Sequence, residues 1–175
     1  MRIGVVVAAA ALWLSACGAP EAPPVLIEAS QVKPLLEFSD ELDGKRVMLD
    51  GYIHIDDGPD EEGGIAILYT LTSRPRGQGD DLILFEAERG TAANQVDTPL
   101  ISQRSIPQMP GAGEILLVDL KNAKFQDTAG VAHTVRDKVR VTGRVASFSG
   151  VDDDRSPTGK RFRPRLTDVT FEAAP

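Results

Sequence analysis

Hydrophobic residues recur along this chain mainly at every second position, the spacing of a half-buried β-strand. Val47, Leu49, Gly51 and Ile53 alternate with Arg46, Met48, Asp50 and Tyr52, directly after the turn sequence Asp43-Gly44-Lys45. Val139, Val141, Gly143 and Val145 alternate with Arg140, Thr142 and Arg144 in the same way. Ile65–Leu71, Leu82–Phe85 and Ile115–Leu120 are short apolar runs of the kind buried strands show, and Phe162–Phe171 is a further strand near the end. Helical periodicity is scarce. Ser30 is placed to cap a short turn over Val32–Phe38, with Pro34 confined to its early part, and a second short turn fits Ser39–Leu42.

Two of these strands share one pattern, valine-x-aliphatic-x-glycine-x-aliphatic, at Val47–Ile53 and Val139–Val145. Glycine inside a strand weakens it and marks a bulge or sharp bend, which a small sheet needs in order to curl. The expectation is a mainly β domain over residues 29–175: a small, partly open barrel with a long insertion loop and one or two short helices. Two packed sheets are the alternative. The glycine pattern resembles the first and fourth strands of an OB-fold, a five-stranded partly open barrel. Residues 43–171 as a whole are similar to uncharacterised bacterial envelope lipoproteins with OB-like domains. That resemblance implies Ile65–Leu71 and Leu82–Phe85 as middle strands, and an insertion over 88–113 where a shorter connection is usual. The insertion carries Gly90, Pro99, Pro107, Pro110, Gly111 and Gly113 without periodicity. Loops of that length are functional or disordered, and Asn94-Gln95 and Gln103-Arg104 offer polar groups to a ligand.

The N-terminus is of a different character. Arg2 precedes Ile3–Leu14, a run of about a dozen mostly apolar residues, short of the roughly 20 that a membrane-spanning helix needs. Leu14-Ser15-Ala16-Cys17 closes it, and Gly18–Pro24 follows with linker composition. This ending resembles the lipobox of bacterial lipoproteins. The resemblance implies removal of residues 1–16 as a signal peptide, lipidation of Cys17, and a Pro-rich tether over 17–28 reaching about 30 Å at ~3 Å per residue. It also implies three acyl chains, where one alone binds membranes only marginally. Gly18 lacks the aspartate that often signals inner-membrane retention, so the periplasmic face of the outer membrane is expected. Cys17 is the only cysteine, so the domain folds without disulfides.

Nineteen basic against 26 acidic residues give a net charge of −7, which excision of Arg2 takes to −8. Such a balance argues against a nucleic-acid partner. The chemical inventory is thin: two histidines, no phosphate loop, no G-x-S-x-G elbow and no H-E-x-x-H. Asp152-Asp153-Asp154 falls among turn residues, where carboxylates are solvated and untuned. Neither an enzyme nor a cofactor is expected. His54 with Asp56 and Asp57 forms a candidate metal site, solvent exposure being the alternative for this histidine. His133, in a hairpin arm, is expected to be exposed too. The acidic loop 56–64 lacks the spacing of an EF-hand and is expected to be solvated. In Lys160–Leu166, strand alternation would place Arg161, Arg163 and Arg165 on one face, a surface for an anionic partner. Protection of a strand edge is the alternative there. The expected function is a non-catalytic, membrane-anchored periplasmic binding module that engages another envelope component, a protein or an anionic glycan or lipid. A metal- or small-ligand-binding accessory lipoprotein is the alternative.

Overall fold

The computed structural model describes residues 21–59, 65–77, 79–104, 114–147 and 150–175. Along the chain, β1 (Val25–Leu26) precedes two helical turns, Ala29–Gln31 and Lys33–Glu37, and then come β2 (Arg46–Pro59), β3 (Ile65–Thr72) and β4 (Asp81–Phe85). Next are β5 (Glu88–Arg89), β6 (Gln95–Asp97), β7 (Leu100–Arg104), β8 (Glu114–Val118), β9 (Lys124–Gln126) and β10 (Ala132–Thr134). The last four are β11 (Lys138–Ala146), β12 (Val151–Asp152), β13 (Lys160–Arg161) and β14 (Arg165–Ala173). Among the described residues no helix is long and apolar enough to cross a membrane.

Five strands pair in the order β2-β3-β4-β14-β11, and β11 pairs back onto β2, so the sheet closes on itself as a ring. Every junction is antiparallel except β4 with β14, which is parallel and holds only Leu84↔Arg165 and Phe85↔Leu166 in register. That short seam leaves the ring partly open. The mainly β, OB-like expectation is met: the two glycine-bearing strands are the first and fourth of the ring, and the middle strands are those expected.

The two glycine motifs face each other. Gly51 is in register with Val139, and Gly143 with Val47. A Cβ on Gly51 would stand 2.7 Å from both Leu71 Cγ and the Thr72 carbonyl oxygen; one on Gly143 would stand 2.9 Å from Leu166 Cβ and 3.0 Å from the Thr167 oxygen. Neighbouring strands therefore cross at these points more closely than any side chain allows. The pairing of β11 with β14 shifts register between Thr142 and Arg144, and that of β3 with β4 between Leu71 and Thr72. Bulges of this kind raise the twist that closes a small ring. Inward-facing Leu49, Ile53, Leu71, Val141, Leu166 and Phe171 fill it and are fully buried. On the outer face, Arg140 Nε and Nη2 donate to Asp50 Oδ1 (2.7 Å) and Oδ2 (3.0 Å), a two-pronged clamp between β11 and β2. That guanidinium holds the Asp50 carboxyl below the usual carboxylate range.

The folded domain starts earlier than residue 29. Val25 and Leu26 pair in parallel with Val47 and Met48, and the Ile27 N–H donates to the Met48 oxygen at 2.9 Å while its side chain joins the core. The first helical turn is capped at Glu28, whose N–H is held by Gln31 Oε1 at 3.0 Å; the second begins at Val32 without a side-chain cap, so Ser30, inside the first turn, does not cap it. Pro34 sits early in the second turn, as its missing N–H requires, and Val32 and Leu36 are buried. In the second expected turn, Ser39 Oγ accepts the Glu41 N–H at 3.2 Å.

The expected loop over 88–113 is instead part of a folded unit filling the chain between β4 and β11. Strands β5, β6, β9 and β10 make one small sheet, and β7 and β8 make a hairpin; residues 105–113 lie outside the described residues. The expected strand at Ile115–Leu120 is present as far as Val118, as β8, and pairs with β7 outside the ring. The unit is bolted to the ring through Phe171. Phe125 packs on its ring at 5.9 Å between centroids, its N–H is taken by Asn94 Oδ1 at 3.0 Å, and its carbonyl by the Thr128 N–H at 2.9 Å. Asn94 reaches this position from a left-handed backbone (φ 61), which asparagine tolerates better than most residues. Its amide oxygen is thus spent on the fold, not offered to a ligand, and Gln95 likewise holds the Ala92 N–H at 3.0 Å.

Candidate functional site

Strand β2 outruns its neighbour. Pairing with β11 ends at Tyr52↔Lys138, whereas pairing with β3 continues from Tyr52↔Thr72 to Pro59↔Ile65 without a shift. Beside the overhang lies a groove of about 590 Å³. Ile53, His54 and Ile55 form one wall; Leu120, Lys121 and the turn residues 134–136 form the other. The inserted unit therefore supplies the wall that a sixth ring strand would otherwise occupy. The Val118 N–H hooks it to β2 by donating to Asp57 Oδ2 at 2.7 Å.

His54 sits on the outward register of β2, as alternation predicts. Its Nε2 lies 3.0 Å from Asp56 Oδ1, and its side chain is 31% exposed. Gly77 packs flat on the imidazole, where a Cβ would come within 3.0 Å of all three nearest ring atoms. Carboxylate and glycine together hold the ring toward the groove. Asp57, on the opposite register, is spent on Val118. The structure thus joins His54 with Asp56 and separates Asp57 from them. Among the described residues no group of three or more His, Cys, Asp or Glu side chains is placed to hold a metal ion.

The groove rim is basic. The side chains of Lys121 and Arg136 make no ion pair among the described residues, and neither wall carries a carboxylate. The nearest acids in sequence are committed to their own turns. Asp119 accepts the Lys121 N–H at 3.1 Å and Asn122 Nδ2 at 2.7 Å, and Asp137 accepts the Thr134 N–H at 2.7 Å. That amide holds the Asp137 carboxyl below its ordinary range.

His133 departs from expectation. Its side chain is 14% exposed and stacks on Phe125 at 5.7 Å, with Nε2 donating to Asp127 Oδ2 at 3.0 Å. Asp127 Oδ1 accepts the N–H groups of Ala129 (2.9 Å) and Val131 (2.7 Å). His133 first, and then these amides, keep the Asp127 carboxyl below the usual carboxylate range. The Asp127-Thr128-Ala129-Gly130 turn signature was the available hint, since aspartates that start turns bond their own backbone. Because Asp127 and Asp50 are both lowered in the folded state, their stabilisation is complete above the ordinary carboxylate value near ~4 and fades as pH falls through the lowered values. Urea midpoints taken from neutral pH downward should therefore fall in acid, and the drop should be smaller in Asp127→Asn. Equal acid slopes in the two proteins would contradict this.

The strand expected to carry the arginine stripe is interrupted. Phe162–Phe171 is not one strand: Pro164, which has no N–H to give a ladder, separates β13 from β14. Arg161 Nη2 pairs with Glu37 Oε2 at 3.0 Å, and Arg165 Nη1 with Glu86 Oε1 at 2.5 Å. Arg163 lines, together with Arg161, a smaller groove of about 290 Å³ beside β4. Two of the three charges are thus matched by carboxylates. Cys17 lies outside the described residues.

No protein-family model matches this chain, and no curated protein matches it with significance.

Proposed function

We propose that this chain is a non-catalytic binding module of the bacterial cell envelope, held at the membrane by lipid on Cys17 and engaging another envelope component through the groove beside His54. The observation that carries this reading is the overhang of β2, which leaves an apolar trough of about 590 Å³ with a basic rim. Its size falls within the roughly 300–1,000 Å³ of ordinary ligand sites, which are likewise apolar with a few placed polar groups. The sequence Leu14-Ser15-Ala16-Cys17 supports the address. With Val25 already in the sheet, the tether shrinks to residues 17–24, about 25 Å at ~3 Å per residue. Such a length keeps the domain close to the bilayer, among partners anchored in the same way. An acidic chain with a basic groove selects an anionic region of its partner and repels other acidic surfaces, which sharpens specificity more than affinity.

A photo-crosslinking residue at Leu120, which lines the groove, should yield a discrete adduct in living cells, lost in Cys17→Ala. The same residue at Val151, exposed on β12, should not. Identical adducts from both positions, or none from Leu120, would defeat the reading.

A further inference from the structure

The groove is bounded on one side by backbone as well as by side chains, and this narrows what it accepts. From Ile53 to Asp57, β2 has a strand partner on its β3 side only; on the other side no described strand continues the ladder past Tyr52↔Lys138. The stretch is regular, with no register shift against β3 and no proline before Pro59. Exposed edges are usually blunted by prolines, bulges or inward charges, because an unpaired row of N–H and C=O groups is a template for another chain. Here no proline or bulge interrupts the edge, its one inward acid, Asp57, is taken by the Val118 N–H, and a trough stands beside it. The far wall is apolar at Leu120 and Val135, with cations at Lys121 and Arg136.

We infer that the groove accepts an extended acidic peptide segment of the partner, which adds as a strand to β2 over Ile53–Asp57. A strand needs about 4.8 Å of lateral room and alternates its side chains between two faces. Main-chain hydrogen bonds to β2 then provide affinity, as in other cases of strand addition. Specificity comes from carboxylates meeting Lys121 and Arg136 and from apolar side chains meeting Leu120 and Val135. His54, whose Nε2 is engaged by Asp56, borders the strand site as packing surface. This inference rests on the groove being the partner-facing surface.

The test uses the full lipidated chain in detergent and a synthetic hexapeptide alternating valine and glutamate. Amide hydrogen exchange over Ile53–Asp57 should slow on addition of the peptide, and the peptide should bind at least about tenfold more tightly than its valine-lysine counterpart. Methylating alternate backbone nitrogens of the peptide should abolish both effects, since strand addition needs its N–H groups. Lys121→Glu combined with Arg136→Glu, both at solvent-facing positions, should reverse the preference between the two peptides. Binding that survives N-methylation, binding without protection of Ile53–Asp57, or equal competition by free glutamate would overturn strand addition. Failure of the peptides while the Leu120 crosslink persists overturns this inference alone. Loss of the crosslink overturns the groove itself.

Discussion

Replacing Phe171 by alanine should destabilise the protein by about 3–5 kcal/mol, the range for truncating a fully buried aromatic. Phe171 has no exposed surface and meets Phe85 edge-on at 5.9 Å and Phe125 at 5.9 Å. Its backbone pairs with Val141 in β11 and is held at both N–H and C=O by the inserted unit. One truncation therefore opens a cavity shared by the ring and the inserted unit. In urea unfolding followed by circular dichroism, the midpoint should fall with an unchanged slope, because the surface exposed on unfolding stays nearly the same. A loss below about 1 kcal/mol would mean that ring and insertion do not share one core.

Gly51→Val should be nearly as damaging, at about 3 kcal/mol, the upper end of what overpacking produces. The added Cβ meets a backbone carbonyl, Thr72 O at 2.7 Å, which is locked in the β2–β3 ladder and has no rotamer to yield. Gly143→Val meets Thr167 O at 3.0 Å and Val169 Cγ1 at 3.0 Å and should follow closely. Gly130→Ala serves as the comparison. Nothing lies within 4 Å of its Cβ, and only its backbone angle (φ +78) opposes a side chain. A cost of about 1–2 kcal/mol is expected there. Should Gly130→Ala prove the more harmful, close strand crossing would not be the reason for Gly51 and Gly143.

The ring was legible because its strands are long enough for a period of two to repeat. Val47–Ile53 and Val139–Val145 each show several turns of the alternation, and their glycines announce the bend. The inserted unit is not legible for the converse reason. Its strands β5, β6, β9 and β10 hold two or three residues each, too few to carry a period. What makes them strands is tertiary: Val96 and Phe125 bury completely against the ring. The fate of His133 depended on the same event, since its partners Phe125 and Asp127 lie on the adjoining arm of that hairpin. The strand under the arginine stripe is broken for a local cause, Pro164, that is visible in the chain but outweighed by the alternation around it. His54 and Asp56 were legible as neighbours two apart on one strand face. Their opposite wall was not, because Leu120, Lys121 and Val135 reach the groove from a unit the alternation could not show.

The proposed lipid anchor would hold this domain at a membrane surface, where a groove of modest size gains from a partner held nearby. Metabolic labelling with an alkyne analogue of palmitate, followed by membrane fractionation in a bacterial host, tests that placement most directly. The account predicts label and membrane association for the full-length chain and neither for Cys17→Ala. A Cys17→Ala protein that stays labelled and sediments with the membranes would contradict it.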